Sequence, residues 1–304
     1  MRVLFFLVAI GMLGSPILQA KQEMPQRKSQ SDQLEEIAWA WEMREASIQN
    51  IDVELSYQRN DNTPIEFRLL LNGRQSRVEQ TGESEEEGKF STIDVFDGET
   101  SAAYTPNAQG IRYGSVNATN YNAQLNDNIV FYPLLLHCLP SHEEFARFDL
   151  KKHMTIHEPS KTEDGKEWIV LRTTGSELLH GTYDYWIAAD KGHSVERIYQ
   201  YKDGRVASII NISLEEFSDV WLPTGWEMTV LDSEGEVRTE RKIEITNTQT
   251  NISVSDEDFQ LIFPEGSFVE DATDETNRSD RTDKHSYQLR PNGEKHYLTD
   301  PEWK

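Results

Sequence analysis

The feature that most constrains this chain is a two-residue alternation of apolar and polar side chains, repeated through most of its length. Residues 51–58 set the pattern: Ile51, Val53, Leu55 and Tyr57 alternate with Asp52, Glu54, Ser56 and Gln58. A period of two puts the apolar side chains on one face of a β-strand. The same alternation predicts strands over 65–71, 75–81, 90–96, 100–105 and 111–116 in the first half. In the second half it predicts strands over 148–157, 167–173, 182–188, 194–201, 206–217, 224–231 and 237–248. Turn chemistry separates them. Asn72-Gly73 and Asp97-Gly98 are hairpin signals. Gly165, Gly175, Lys191-Gly192, Asp203-Gly204 and Ser233-Glu234-Gly235 punctuate the later run. Turns this short make the neighbours antiparallel.

Two stretches depart from the strand period. Leu34, Ile37, Ala38, Trp41 and Ile48 recur at helical spacing, with Ser31 or Asp32 as the cap and the helix ending near Asn50. Residues 126–140, NDNIVFYPLLLHCLP, form the most apolar stretch beyond the N-terminus. It reads as helical, with Pro133 expected to kink or interrupt it. The fold class is therefore α+β, with one curled antiparallel sheet of about 11–12 strands. A sheet that wide curls into an unclosed half-barrel. The N-terminal helix and the central helical segment are the elements available to cover its concave face.

Residues 1–20, MRVLFFLVAIGMLGSPILQA, have the charged start, short apolar run and small-residue end of a secretory signal peptide, cleaved near Ala20. The run is too short for a membrane span, so no stable membrane anchor is expected after cleavage. Residues 21–31 read as a flexible leader, 32–271 as one domain, and 272–304 as a polar, disordered tail. The expected location is the periplasm or the outside of the cell. The one cysteine, Cys138, forms no internal disulfide, so a packed core must supply the stability. A net charge of −23 with no concentrated basic patch argues against nucleic acid and anionic membrane surfaces as partners.

Chemistry-bearing clusters are sparse. His137-Cys138 and His142-Glu143-Glu144 gather a thiol, imidazoles and carboxylates within eight residues. A Cys-His pair makes a nucleophile only when a third group orients it. His-Glu-Glu lacks the spacing that sets two histidines on one helical face around zinc. His153 and His157 share a strand face but lie about 13 Å apart. Glu83 and Glu85–Glu87, in the acidic run GESEEEGK at 82–89, read as a solvated loop. The expectation is a protein without catalysis, metal or cofactor.

A deep half-barrel has more inward apolar positions than its own side chains need fill. Leu69, Leu71, Phe96, Tyr104, Ile169, Leu171, Tyr185, Ile187, Ile209 and Met228 are the candidate cavity lining. Ile129, Val130, Leu134, Leu135 and Leu136 are the candidate lid. Ordinary core packing is the alternative for both sets. In the stretch YDYWIAADKGHSVERIYQY, Tyr183, Tyr185 and Ile187 share one face, and Trp186 lies with Asp184 and Ala188 on the other. Asp190-Lys191-Gly192 turns the chain, and Val195, Arg197, Tyr199 and Tyr201 alternate back.

The initial helix running into ASIQNIDVELSYQR, the pair LLLNGRQSRVEQT and VFDGETSAAYTP, the hairpin DYWIAADKGHSVERIYQY and the closing FPEGSFVED together resemble the periplasmic lipoprotein carrier family (LolA/LolB-like). The resemblance spans roughly residues 32–271. It implies an open barrel whose concave face holds an apolar or acylated ligand, or a lipoprotein, under a helical lid. It also implies an arginine on an early strand that holds the lid in the ligand-free state, for which Arg77 is the best match. The alternative on the same scaffold is an envelope protein-interaction or stress-sensing module without bound lipid. The chain differs from the carriers in its length, its acidic run at 82–89 and its polar tail.

Overall fold

The computed structural model describes residues 29–84, 88–106, 110–118, 125, 130–138, 154–163, 165–173, 181–273 and 286–297. Helix α1 (Gln30–Ser47) opens the described chain. Its cap is Ser29, ahead of the expected Ser31 or Asp32. Ser29 Oγ accepts from the Asp32 N–H, and the Asp32 carboxylate accepts from the Ser29 N–H, a reciprocal capping box.

Six strands follow: β1 (Asn50–Arg59), β2 (Ile65–Asn72), β3 (Gln75–Ser84), β4 (Gly88–Phe96), β5 (Thr100–Pro106) and β6 (Arg112–Ala118). Helix α2 (Tyr132–Cys138) comes next. The second run is β7 (Met154–Glu163), β8 (Lys166–Thr173), β9 (Thr182–Ala188), β10 (Ser194–Lys202), β11 (Arg205–Phe217), β12 (Val220–Leu231) and β13 (Val237–Thr250). Three short strands complete the described residues: β14 (Phe268–Ala272), β15 (Ser286–Leu289) and β16 (Lys295–Tyr297).

All sixteen strands among the described residues belong to one sheet, in the order β16-β15-β14-β6-β5-β4-β3-β2-β1-β13-β12-β11-β10-β9-β8-β7. The curled, unclosed antiparallel sheet is as expected, but it is wider than the 11–12 strands anticipated. The tail accounts for much of the difference. Residues 272–304 were expected to be disordered, yet β15 and β16 extend one edge of the sheet. Each is too short to show a period. Each contributes one aromatic anchor: Tyr287 is buried, and its ring meets Tyr297 edge-on at 5.7 Å. Within the run 82–89, the described residues 82–84 and 88–89 are paired strand rather than loop, with Glu83 opposite Lys89 and Ser84 opposite Gly88. On the opposite edge, β7 carries Pro159, which an edge strand tolerates.

β13 returns beside β1, so the two strand runs join at the middle of the sheet. Asn50 and Asn251 lock that junction. Asn50 Nδ2 donates to the Ile252 carbonyl, and Asn251 Nδ2 donates to the Ser47 carbonyl. Asn251 has φ 56°, a left-handed conformation that asparagine tolerates. From here residues 251–267 cross the outer face of the sheet, and β14 pairs with β6 in parallel. Phe259 of this crossing is fully buried. Gly114 on β6 makes room for Phe263, because a Cβ there would sit 2.3 Å from the ring. A parallel pair requires such a crossover connection.

The main core lies between the inner face of the sheet and helices α1 and α2, with Leu125 also part of it. It joins Val53, Leu55, Phe67, Leu69 and Val78 of the first run to Leu171, Ile187, Ile198, Ile210 and Trp226 of the second.

Candidate functional site: the inner face and its helical cover

Helix α2 is buried on nearly every side, as its run Pro133–Leu136 and Cys138 requires. Pro133 sits in its first turn, where a missing N–H costs nothing, so it starts the helix rather than kinking it. The Leu135 N–H donates to the Phe131 carbonyl, and Phe131 meets Phe67 of β2 edge-on at 5.6 Å. The Tyr132 and Tyr185 hydroxyls lie 2.8 Å apart and tie α2 to β9. Val130, Leu134, Leu135 and Leu136, four of the lid candidates, belong to the main core. Ile129 lies outside the described residues.

Of the lining candidates, Leu69, Leu71, Leu171, Tyr185, Ile187 and Met228 join the lid candidates in that core, with Ile169 packed against it. Phe96 is buried opposite Ser76 on the inner face, outside the main cluster. Two candidates face the other way. Tyr104 pairs with Ile93 and Gly114, a row that lies on the outer face beneath Phe263. Ile209 pairs with Tyr199 and Thr229, whereas its neighbours Ile210 and Ile212 enter the core. A one-residue difference in register exchanges the faces of a strand.

Arg77, expected to hold the lid, lies on the outer face of β3, opposite Leu70 and away from the row of Leu69 and Val78. It pairs with Glu79 at 2.6 Å and donates to the carbonyls of Asp258 and Gln260 in the outer crossing. An arginine that meets the inner layer from the helical side is Arg44, on α1. Arg44 follows Trp41 by three residues, so both point from the helix toward the sheet. Trp41 Nε1 donates to the His193 carbonyl at 2.7 Å, and Arg44 Nη1 donates to Ser194 Oγ at 2.6 Å. The signal of Arg44 in the sequence is a basic residue in helical phase with Leu34, Ile37, Ala38 and Trp41.

His137 and Cys138 end α2 beside this guanidinium, and both are completely buried. Burial pushes the thiol up to about 12, so it stays protonated. Burial, then the nearby Arg44 charge, pushes His137 down to about 3, so the ring is neutral. Its Nδ1 lies 2.7 Å from the Pro133 carbonyl, which can only accept. His142, Glu143, Glu144, His153 and Glu85–Glu87 lie outside the described residues. Among the described residues, no group of three metal-ligating side chains comes together.

The inner face changes character along the sheet. Toward β4 the inward row becomes polar, with Gln80, Thr92 and Asp94 in register beside Phe67 and Val78. Burial raises the Asp94 carboxyl to about 6.

The outer face of β8–β10 carries a second cluster of Trp168, Val170, Trp186 and Ala188, with Tyr199 against it. Arg197 lies over both indole rings, Lys161 over Trp186 and Lys166 over Trp168. This hairpin keeps the expected faces of Tyr185, Trp186 and Ile187. A bulge between Val195 and Arg197 changes the return strand. Val195 turns into the core, while Arg197 and Tyr199 stay outside. Glu196, at the bulge, pairs with Lys166 and Lys191.

No family model matches the chain, and no curated protein matches its sequence. Solved structures do match. One is described as an outer membrane lipoprotein-sorting protein domain from Vibrio parahaemolyticus, with TM-score 0.50 and 10% identity over 76% of this chain and 97% of that one. A LolA superfamily protein from Nitrosomonas europaea is similar at TM-score 0.46 and 14% identity, over 74% of this chain and 97% of that one. The MucA/MucB complex of Pseudomonas aeruginosa is similar at TM-score 0.29 and 13% identity, over 75% of this chain and 61% of that one. The chain shares the fold of the Vibrio lipoprotein-sorting domain.

Proposed function

We propose that the protein is an exported, non-catalytic carrier or sensor that binds a lipid-like apolar ligand against the inner face of its half-barrel. The carrying observation is α2, a short leucine-rich helix buried on nearly every side and packed into an unclosed sheet. Burying the side chains of Leu134, Leu135 and Leu136 contributes about 2 kcal/mol each. An acyl chain contributes about 0.8 kcal/mol per buried methylene, so a chain of ordinary lipid length outweighs the leucines it would displace. The lipoprotein-sorting domain of similar fold supports a lipid or acylated ligand, and fold alone does not name it. The protonated thiol and neutral imidazole at the end of α2 support a role without covalent or acid–base chemistry. The signal-like residues 1–20 support export to the periplasm or beyond, and no described helix is long and apolar enough to cross a membrane.

Native mass spectrometry of protein purified from its host, with lipid extraction and fluorescent fatty-acid titration, tests this reading. Co-purifying lipid and saturable uptake are expected. The absence of both co-purifying lipid and uptake would sink it. A second reading, an envelope protein-interaction module without lipid, is favoured by the direct packing of α2 on the lining candidates. A partner retained in pull-down by protein that takes up no fatty acid would select it.

A further inference from the structure

Arg44 is 6% exposed, and its guanidinium is only partly satisfied. Nη1 donates to Ser194 Oγ, while Nε and Nη2 are buried without a hydrogen-bond partner. Its electrostatic neighbours are the Cys138 thiol and the His137 ring, and both are neutral. Among the described residues, no carboxylate pairs with it. Desolvation lowers Arg44 to about 10, so it keeps its charge at neutral pH. A buried, unpaired charge is among the costliest features a fold can carry, and an apolar residue of similar size would avoid that cost.

The chain itself shows what the open atoms take. Arg68 grips the Asp52 carboxylate through Nε at 3.0 Å and Nη2 at 2.8 Å. Arg172 grips Asp184 through the same two atoms, both at 2.6 Å. Nε and Nη2 form the fork that fits two oxygens of one anion, and Arg44 leaves that fork open.

We propose that Arg44 is an oxyanion site, taking the carboxylate or phosphate of an amphiphile whose apolar chain lies along the inner face. The chain part rests on the carrier reading, and the oxyanion part stands on Arg44 itself. The fork lies where the end of α2 meets α1, so head and tail would occupy one continuous site once α2 is displaced.

The test compares dodecanoate, dodecanol and inorganic phosphate on the wild type and on Arg44→Gln, Arg44→Lys and Arg44→Met. Wild type should bind dodecanoate about 10- to 100-fold more tightly than dodecanol, the margin of charge-assisted hydrogen bonds. Arg44→Gln should bring that ratio near one without weakening dodecanol, and Arg44→Lys should retain part of it. Thermal stabilisation by phosphate that is lost in Arg44→Gln would show that free oxyanions also enter. If neither amphiphile binds, the carrier reading fails, and the phosphate arm alone decides the oxyanion site. An acid-to-alcohol ratio indifferent to Arg44→Gln, with no Arg44-dependent phosphate effect, overturns the proposal. So does an Arg44→Met melting point well below wild type without ligand, because a site lacking its anion should gain or hold stability when the charge is removed.

Discussion

Asp94 points inward from β4, opposite Val78 on one neighbour and Ala103 on the other. Burial raises its carboxyl from 3.8 to about 6. Between those values the folded chain holds a proton that the unfolded chain has lost. Stability therefore falls as pH climbs through that window, and the full cost is present above about pH 6. Two pH units correspond to about 3 kcal/mol at full burial, which partial solvent contact reduces to about 1–2 kcal/mol. Asp94→Asn should gain that much at pH 7.5 and nothing at pH 3.5, as read by urea denaturation at both pH values. An equal effect at both would locate it in packing rather than charge. Single residues were the least legible scale. In IDVFDGE the alternation assigns Ile93 and Val95 to the apolar face and Asp94 to the polar one, and only Phe96 departs from it, so nothing local says that Asp94 faces inward. Arg77 and Arg44 show the same limit: the family likeness pointed to a strand arginine, and helical phase with Trp41 placed the other one inside.

Elements were far more legible than faces. The hairpin of β9 and β10 turns at Gly192, whose φ of 58° suits glycine, where Asp190-Lys191-Gly192 marked it. The bulge at Glu196 left no local signature, because it inserts one residue into an otherwise alternating strand. Further bulges interrupt β10 against β11 and β11 against β12, so the inward row of β11 cannot be counted from a distant residue. That is how Ile209 came to be expected inside. Helix α2 was visible as composition, and its role follows from where it packs. Leu135→Ala should lower the stability of the ligand-free protein by about 2–4 kcal/mol, as other core leucine truncations do. If α2 yields to ligand, this loss falls on the closed state alone. Fatty-acid affinity should then rise, because less free energy is needed to open the site. Denaturation and fatty-acid titration of the same variant give both quantities. An unchanged or weaker affinity would assign α2 to the permanent core.

At the scale of the whole molecule, strand order depends on contacts that local alternation cannot report. Short turns announce antiparallel neighbours within each run. They do not announce that β13 closes on β1, or that the chain then crosses the outer face to lie parallel to β6. The crossing spans the first run from its junction with the second to its far edge, so it braces the open sheet from outside while α1 and α2 fill it from inside. Its anchors are Phe259, buried, and Phe263, seated over Gly114. Arg77 belongs to this brace through its bonds to the carbonyls at 258 and 260. Phe259→Ala should therefore cost about 3–5 kcal/mol, the range for a buried aromatic. Urea denaturation should show one cooperative transition moved to lower denaturant, because the crossing is continuous with the sheet it braces. A cost below about 1 kcal/mol, the range of surface substitutions, would mean that the crossing lies on the sheet without bracing it. A separate early transition would mean that the β14–β16 edge unfolds on its own.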